Sequence, residues 1–279
     1  MAAINDLSDL INRMTGGNSG TPENIFQWID NRIDSAAATA TVAGKWTSLW
    51  RYNKSRGGSG AVPSSPVAPD NTTRGGLLQT DAGGGRDKWL LGQGCIAASP
   101  GALLLYDRLL HDGGLVGNST SAQTVGGTLT RNTGGEGNQI WVEIYTLIGT
   151  TATTITASYT NQAGTSGRTT KPVAIGGTGN REAERMLPLP LQDGDTGAQS
   201  VQSVTLAAST VTAGNFGVTI LKPIGIAIIS ASGTGYWRDY VAGLPGLPKI
   251  DPGACLAAAI LMNSTTAPQL MLAAGFAEC

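Results

Sequence analysis

Histidine is nearly missing from this chain of 279 residues: His111 stands alone, beside three cysteines at 95, 255 and 279. Histidine and cysteine supply most zinc ligands and the base or nucleophile of most triads, so their scarcity removes whole classes of chemistry. The thiols are odd in number, widely spaced and without a C-x-x-C pair, so neither a zinc site nor a disulfide framework has a pattern to build on. Reduced, buried thiols in a protein made in a cytoplasm fit this usage. Charge is scarce too, at 13% Asp, Glu, Lys and Arg against about a quarter in ordinary domains. A net charge of −1 offers no general basic face, so nucleic acid is not an expected partner. No apolar run reaches the roughly 18 residues of a membrane-spanning helix; the longest, residues 224–229 and 254–262, are strand-sized. The opening MAAINDLSDL has neither the basic nor the apolar region of a signal peptide, and the expectation is a soluble, unexported protein with no cofactor.

What is abundant is glycine, 40 residues, with alanine, serine and threonine. Low charge with small residues is common where neighbouring subunits cover the surface, since Lys and Glu are depleted in interface cores. Residues 139–221 carry the clearest pattern, runs of β-branched and aromatic residues divided by Gly, Asn, Ser and Thr clusters, which reads as strands and tight turns. Trp141, Glu143 and Tyr145 alternate with Ile140, Val142 and Ile144, placing one set inward and leaving Glu143 at a wet edge. Prolines 188 and 190 cannot donate to a ladder and point to an edge strand. Strands are also expected at 201–206, 216–221, 255–262 and 269–276. The fold class expected is mainly β, an antiparallel, jelly-roll-like β-sandwich over residues 86–279.

Before it, residues 1–52 read as a helical segment. Ile4, Leu7, Leu10, Ile11 and Met14 recur at three- and four-residue spacing. A second helix is expected from Thr21 as N-cap and Pro22 at the first helical position, with Ile25, Phe26, Ile29 and Ile33 on one face. Residues 53–85, rich in Gly, Pro and Ser, have the composition of a flexible or extended arm rather than of packed structure. Arg51, Lys54 and Arg56 with Trp46, Trp50 and Tyr52 form the one compact basic cluster, an exposed arm or a contact with an acidic partner.

Candidate catalytic groups do not assemble. Any triad must pass through His111, and nothing resembles a nucleophile elbow around a serine or cysteine. Asp193 with Asp195, and Glu182 with Glu184, are the neighbouring carboxylates that glycoside hydrolysis would need; on adjacent loop positions they read as turn-forming, the DGDTG run being at best a weak calcium loop. Gly176, Gly177 and Gly179 fall short of a dinucleotide fingerprint, because Glu182 stands where its last glycine belongs. Exposed aromatics are the remaining alternative: Trp237 with Tyr236 and Tyr240, or Trp141 with Tyr145, would make a platform for sugar rings in a carbohydrate- or receptor-binding module.

The runs LLLYDRLLHDGGLVGNSTSAQT, EIYTLIGTTATTITASYTNQAGTSGRTT and IGGTGNREAERMLPLPLQDGDTGAQSVQSVTLAASTVTAGNFGVTIL resemble virion structural proteins of tailed bacteriophages over residues 103–221, and more weakly to the end. The resemblance implies a non-enzymatic subunit located in the virion, of the capsid decoration or cement type, with a major capsid, head-tail or tail-tube protein as the alternative. The partners implied are the major capsid protein or other virion subunits and further copies of the chain, trimers by analogy. Ile25, Phe26, Ile29, Trp46, Trp50, Trp141 and Tyr145 are the candidate subunit-contact residues.

Overall fold

Period-two alternation, strongest in QIWVEIYT and TTITASYTN, becomes strand wherever a neighbouring ladder pairs the backbone. The computed structural model describes residues 8–9, 11–12, 27–33, 41–52, 59–83, 85–241, 247–265 and 270–278. In chain order its strands are β1 (Gln27–Ile33), β2 (Lys45–Ser48), β3 (Lys88–Ala97), β4 (Gly101–Leu115), β5 (Gln123–Thr124), β6 (Gln139–Thr146), β7 (Thr153–Asn161), β8 (Arg168–Thr169), β9 (Val173–Ile175), β10 (Arg185–Leu189), β11 (Ala198–Leu206), β12 (Asn215–Ile229), β13 (Tyr236–Asp239), β14 (Lys249–Ile250), β15 (Leu256–Met262) and β16 (Leu270–Glu278). A 3-10 turn covers Trp50–Tyr52.

The protein is mainly β and antiparallel, as expected, but its centre is a closed barrel rather than a two-sheet sandwich. The barrel order is β10-β2-β15-β4-β12-β6, with β10 returning to β6. One flanking sheet has the order β1-β16-β3-β13, with β14 also on β3; the other has β5-β11-β7-β8, with β9 also on β7. Three cores follow. Leu103, Leu105, Ala258 and Ile260 of the barrel wall meet Leu90, Leu272, Ala274 and Phe276 of the first sheet. Ile140, Val142, Ile144, Val218 and Ile220 meet Ile155, Ala157, Tyr159 and Val204 of the second. The opposite parity of the same staves, Leu104, Tyr106, Trp141, Leu221, Ala257 and Ala259, fills the barrel interior. Closure removes the edges that an open sheet would expose.

The second helix expected at the amino-terminal end is corrected. Residues 27–33 form β1, paired with β16 from Gln27↔Phe276 to Ile33↔Leu270. Ile29 and Ile33 satisfy a period of two as well as a helical one, and the free backbone of β16 offers a ladder that helix propensity, a weak prior, does not outweigh. Residues 45–48 of the same segment are a barrel stave between β10 and β15. Of the first expected helix only Ser8, Asp9, Ile11 and Asn12 are described; their helical backbone does not establish a helical segment. β10 is a barrel strand, but β2 pairs only with Arg185 and Met186, so at Pro188 it is paired on one side alone, by β6, and a proline there costs no ladder donor to a second neighbour.

The Gly/Pro/Ser-rich stretch is described over residues 59–83, and these run over the chain's own barrel. Gly60 N donates to Trp50 O at 2.9 Å, Val67 and His111 exchange two backbone hydrogen bonds of 2.9 Å, and Leu77 N donates to Leu256 O at 2.6 Å.

Candidate functional site

Inside the barrel the alternation of β4, β6 and β12 brings together Tyr106, Arg108, Glu143, Tyr145 and Thr219, each completely buried. The Arg108 guanidinium is ion-paired with Glu143, and its Nε donates to His111 Nδ1 at 3.1 Å. Thr219 Oγ1 donates to Glu143 at 3.1 Å. The Trp50 ring lies 4.4 Å from the guanidinium and meets His111 edge-on at 5.3 Å. Burial pulls the Arg108 guanidinium down, but the Glu143 carboxylate together with the Tyr106 and Tyr145 hydroxyls more than reverses this and holds it above its ordinary value. Burial, with the Arg108 charge, drives His111 down to about 2; the imidazole is neutral, its Nδ1 accepting from Arg108. Burial likewise raises the Tyr106 and Tyr145 hydroxyls.

Residues from the capping stretch close one end of this interior. An added Cβ on Gly60 or Gly75 would approach the Trp50 ring to 2.2 and 2.6 Å, so the backbone lies directly on the indole. A second layer of charge surrounds the first. Arg51 reaches Glu184 at 2.7 Å and Arg131 grips Asp107 at 2.9 and 3.0 Å, while Asp107 accepts from Cys255 N at 2.9 Å. Such a cluster holds staves together.

The paired carboxylates are separately engaged. Asp195 accepts from Arg168, Tyr159 and Asn161 at 2.9, 2.5 and 2.7 Å, and the Arg168 and Tyr159 bonds lower it to about 2. Asp193 pairs with Lys171 at 2.5 Å. Glu182 accepts from Gly179 N at 3.0 Å and Glu184 takes Arg51. With both Asp195 oxygens occupied by donors, DGDTG is a turn rather than a calcium loop, and no group of three metal-ligating side chains occurs among the described residues.

Three of the candidate contact residues are corrected by the barrel. Trp50, Trp141 and Tyr145 are 1%, 4% and 0% exposed, Trp141 and Tyr145 because the parity expected to face outward faces the lumen, and Trp50 because Gly60 and Gly75 lie on its ring; they offer no surface to a partner. Trp46 is half-buried, edge-on to Trp141 at 5.8 Å. Ile25 and Phe26 lie outside the described residues, as do Lys54 and Arg56 of the basic cluster. Ile29 falls in β1, its backbone opposite Ala274.

Apolar side chains do converge outside, on the solvent face of β16, β3 and β13. Ile96, Trp237 and Met271 are 38%, 43% and 38% exposed, and with Gly94 and Ala273 they line an open cleft of about 420 Å³, Tyr236 at its end. Gly92 and Gly94 position the indole: a Cβ there would come within 2.5 and 2.8 Å of the Trp237 ring. Trp237 and Tyr236 were candidates in the sequence as part of an aromatic platform; Tyr240 instead is buried, with the Arg238 guanidinium 5.3 Å from its ring. Ile96 and Met271 were not singled out. The available signal was G-Q-G at 92–94, alternating glycines within a strand, which mark the close approach of another group.

No protein-family profile matches the chain, and a search of curated proteins gave no match. Among solved structures, the infectious bursal disease virus VP2 subviral particle superposes over 96% of this chain and 86% of that one, with 8% identity and a TM-score of 0.20. At that score the likeness carries no argument about fold or role.

Proposed function

We propose that the chain is a non-enzymatic structural subunit of a virion, in its most specific form a capsid decoration or cement protein that stabilises a head shell through subunit contacts. One observation carries the reading: the Arg108–Glu143 pair is buried inside the barrel, while the cleft of Ile96, Trp237 and Met271 turns apolar surface to solvent. Exposed apolar clusters of this kind mark interaction surfaces, and a barrel cross-braced by buried ion pairs is a rigid carrier for one. The resemblance of residues 103–221 to tailed-phage virion proteins supplies the setting. Residues 59–83 lie on the chain's own barrel, so the subunit contact is assigned to this face. A major capsid, head-tail or tail-tube subunit is the alternative within the same reading.

Purified particles test it. The chain is expected as a stoichiometric component of intact particles by mass spectrometry, at symmetric positions on the head in a cryo-EM map. Its absence from particles sinks the reading. The exposure of Trp237 also favours a second reading, a carbohydrate- or receptor-binding module with that indole as the sugar platform. Glycan binding lost on Trp237→Ala would support that one instead.

A further inference from the structure

We infer that Lys88 and Gln79 become the two ends of an intramolecular isopeptide bond, which the chain forms by itself, with Glu278 carrying the proton and ammonia leaving. The bond ties the glycine-rich capping stretch covalently to β3. This modification site depends neither on the virion reading nor on the outer cleft.

Three buried side chains from separate parts of the chain make the site: Gln79, Lys88 and Glu278 are 5%, 3% and 5% exposed. Lys88 opens β3, with Glu278 of β16 opposite it on one side and Ile250 of β14 on the other. Its Nζ donates to Gln79 Oε1 at 2.9 Å and also contacts Thr80 O, and the Phe276 ring lies 5.8 Å away. Gln79 Nε2 donates to Ala254 O at 3.2 Å, which fixes the amide with its oxygen toward the amine. An amine and a carbonyl held in this way exchange a bimolecular encounter for a small torsional change. Glu278 Oε1 stands 3.7 Å from the same Nζ, and Arg86 holds its Oε2 at 3.1 Å.

Charge favours the product. Glu278 has a counter-charge in Arg86, Asp87 and Asp251 have theirs in Lys249 and Lys222 at 2.7 and 3.7 Å, and Asp81 accepts from Asn71 and from Gly253 N. A buried ammonium carries a desolvation cost that a neutral amide does not. Burial holds the Lys88 ammonium below its ordinary value against the pull of Glu278 and Asp81, which enlarges the share of neutral amine, the nucleophilic form. After the ammonium has lost its first proton to water, Nζ attacks Gln79 Cδ and the bond from Cδ to Nε2 breaks. Glu278 takes a proton from Nζ and returns it to Nε2, which leaves as ammonia. One amide replaces another, and nothing is oxidised or reduced. A small cleft lined by Gln79, Asp81, Lys88 and Asp251 adjoins the amide and gives the ammonia its exit.

Mass spectrometry of the intact, purified full chain tests the proposal. The wild type is expected about 17 Da below its sequence mass, the loss of one ammonia. A tryptic digest is expected to join residues 75–86 to residues 87–108 through Gln79 and Lys88, with no cleavage after Lys88. Lys88→Met and Gln79→Leu are expected at their full sequence masses, and Glu278→Gln to remain largely unjoined, because it lacks the group that moves the proton. Circular dichroism verifies folding; should the variants not fold, the mass and the digest of the wild type decide alone. A folded wild type at its full sequence mass overturns the proposal, and so does an ammonia loss that the digest places elsewhere, such as a succinimide at an asparagine. A join as complete in folded Glu278→Gln as in the wild type overturns the role given to Glu278.

Discussion

Arg108 and Glu143, on neighbouring sides of the barrel, form an ion pair with both side chains at 0% exposure, and the Trp50 indole stacks against the same guanidinium at 4.4 Å. Desolvating two charges costs so much that such a pair is weak evidence of net stabilisation, yet breaking it strands a buried charge. Arg108→Met or Glu143→Leu alone is expected to lower unfolding free energy by about 3–5 kcal/mol. The double substitution is expected to recover most of that loss. Urea denaturation of all four proteins in a double-mutant cycle measures the coupling.

His111 makes stability depend on pH. Its folded value, about 2, lies below the ordinary 6.5, so the unfolded chain binds a proton that the folded chain refuses. The contribution is fully present above pH 6.5 and is lost as pH falls below it. The slope approaches about 1.4 kcal/mol per pH unit for one group. His111→Gln keeps an acceptor for Arg108 Nε and removes the titration. Between pH 6.5 and 5 the wild type is expected to lose about 2 kcal/mol more than this variant, read from urea midpoints at each pH.

The closure over Trp50 depends on backbone without side chains. Gly75 has φ +96° and would place a Cβ 2.6 Å from the indole and 2.7 Å from Gly60 Cα. Gly75→Ala therefore combines a disfavoured conformation with overpacking, and is expected to cost about 2–4 kcal/mol. Adding Trp50→Leu relieves the part of the overpacking against the indole and leaves the Gly60 contact and the φ cost, so the double variant is expected to fall short of the sum of the two single losses. Thermal unfolding of the three variants decides this.

Thiol chemistry reports two of the three cores. Burial raises Cys95 to about 11 and Cys255 to about 12, so both remain thiols at neutral pH and are shielded as well. Iodoacetamide is expected to leave residues 95 and 255 unmodified in the native protein and to label both in denaturant, read by peptide mapping. Rapid native labelling at 255 would show the barrel interior open to solvent.

Much of the strand pattern was legible. The expected strands at 201–206, 255–262 and 269–276 meet β11, β15 and β16 within a few residues, because each alternates or runs apolar between turn residues. The interior of the barrel was not. Glu143 read as the wet edge of its strand because a carboxylate faces water unless its counter-charge is known, and Arg108 lies 35 residues earlier on another stave. In fact both parities of β6 are buried: Ile140, Val142 and Ile144 against a flanking sheet, Trp141, Glu143 and Tyr145 in the lumen. The outer cleft was half legible, since Trp237 stood out as an aromatic, while Ile96 and Met271 belong to strands whose alternation does not tell which face another layer will cover.

By itself the sequence determined a mainly β, antiparallel protein, because period-two patterning is a local property of the chain. Tertiary structure alone decided that the sheet closes, that the glycine-rich stretch caps it, and that Trp50, Trp141 and Tyr145 point in while Trp237 points out. Those outcomes depend on pairings between residues far apart in the chain, such as Leu187 with Val142 and Ile33 with Leu270, and no local pattern encodes which distant strand completes a ladder.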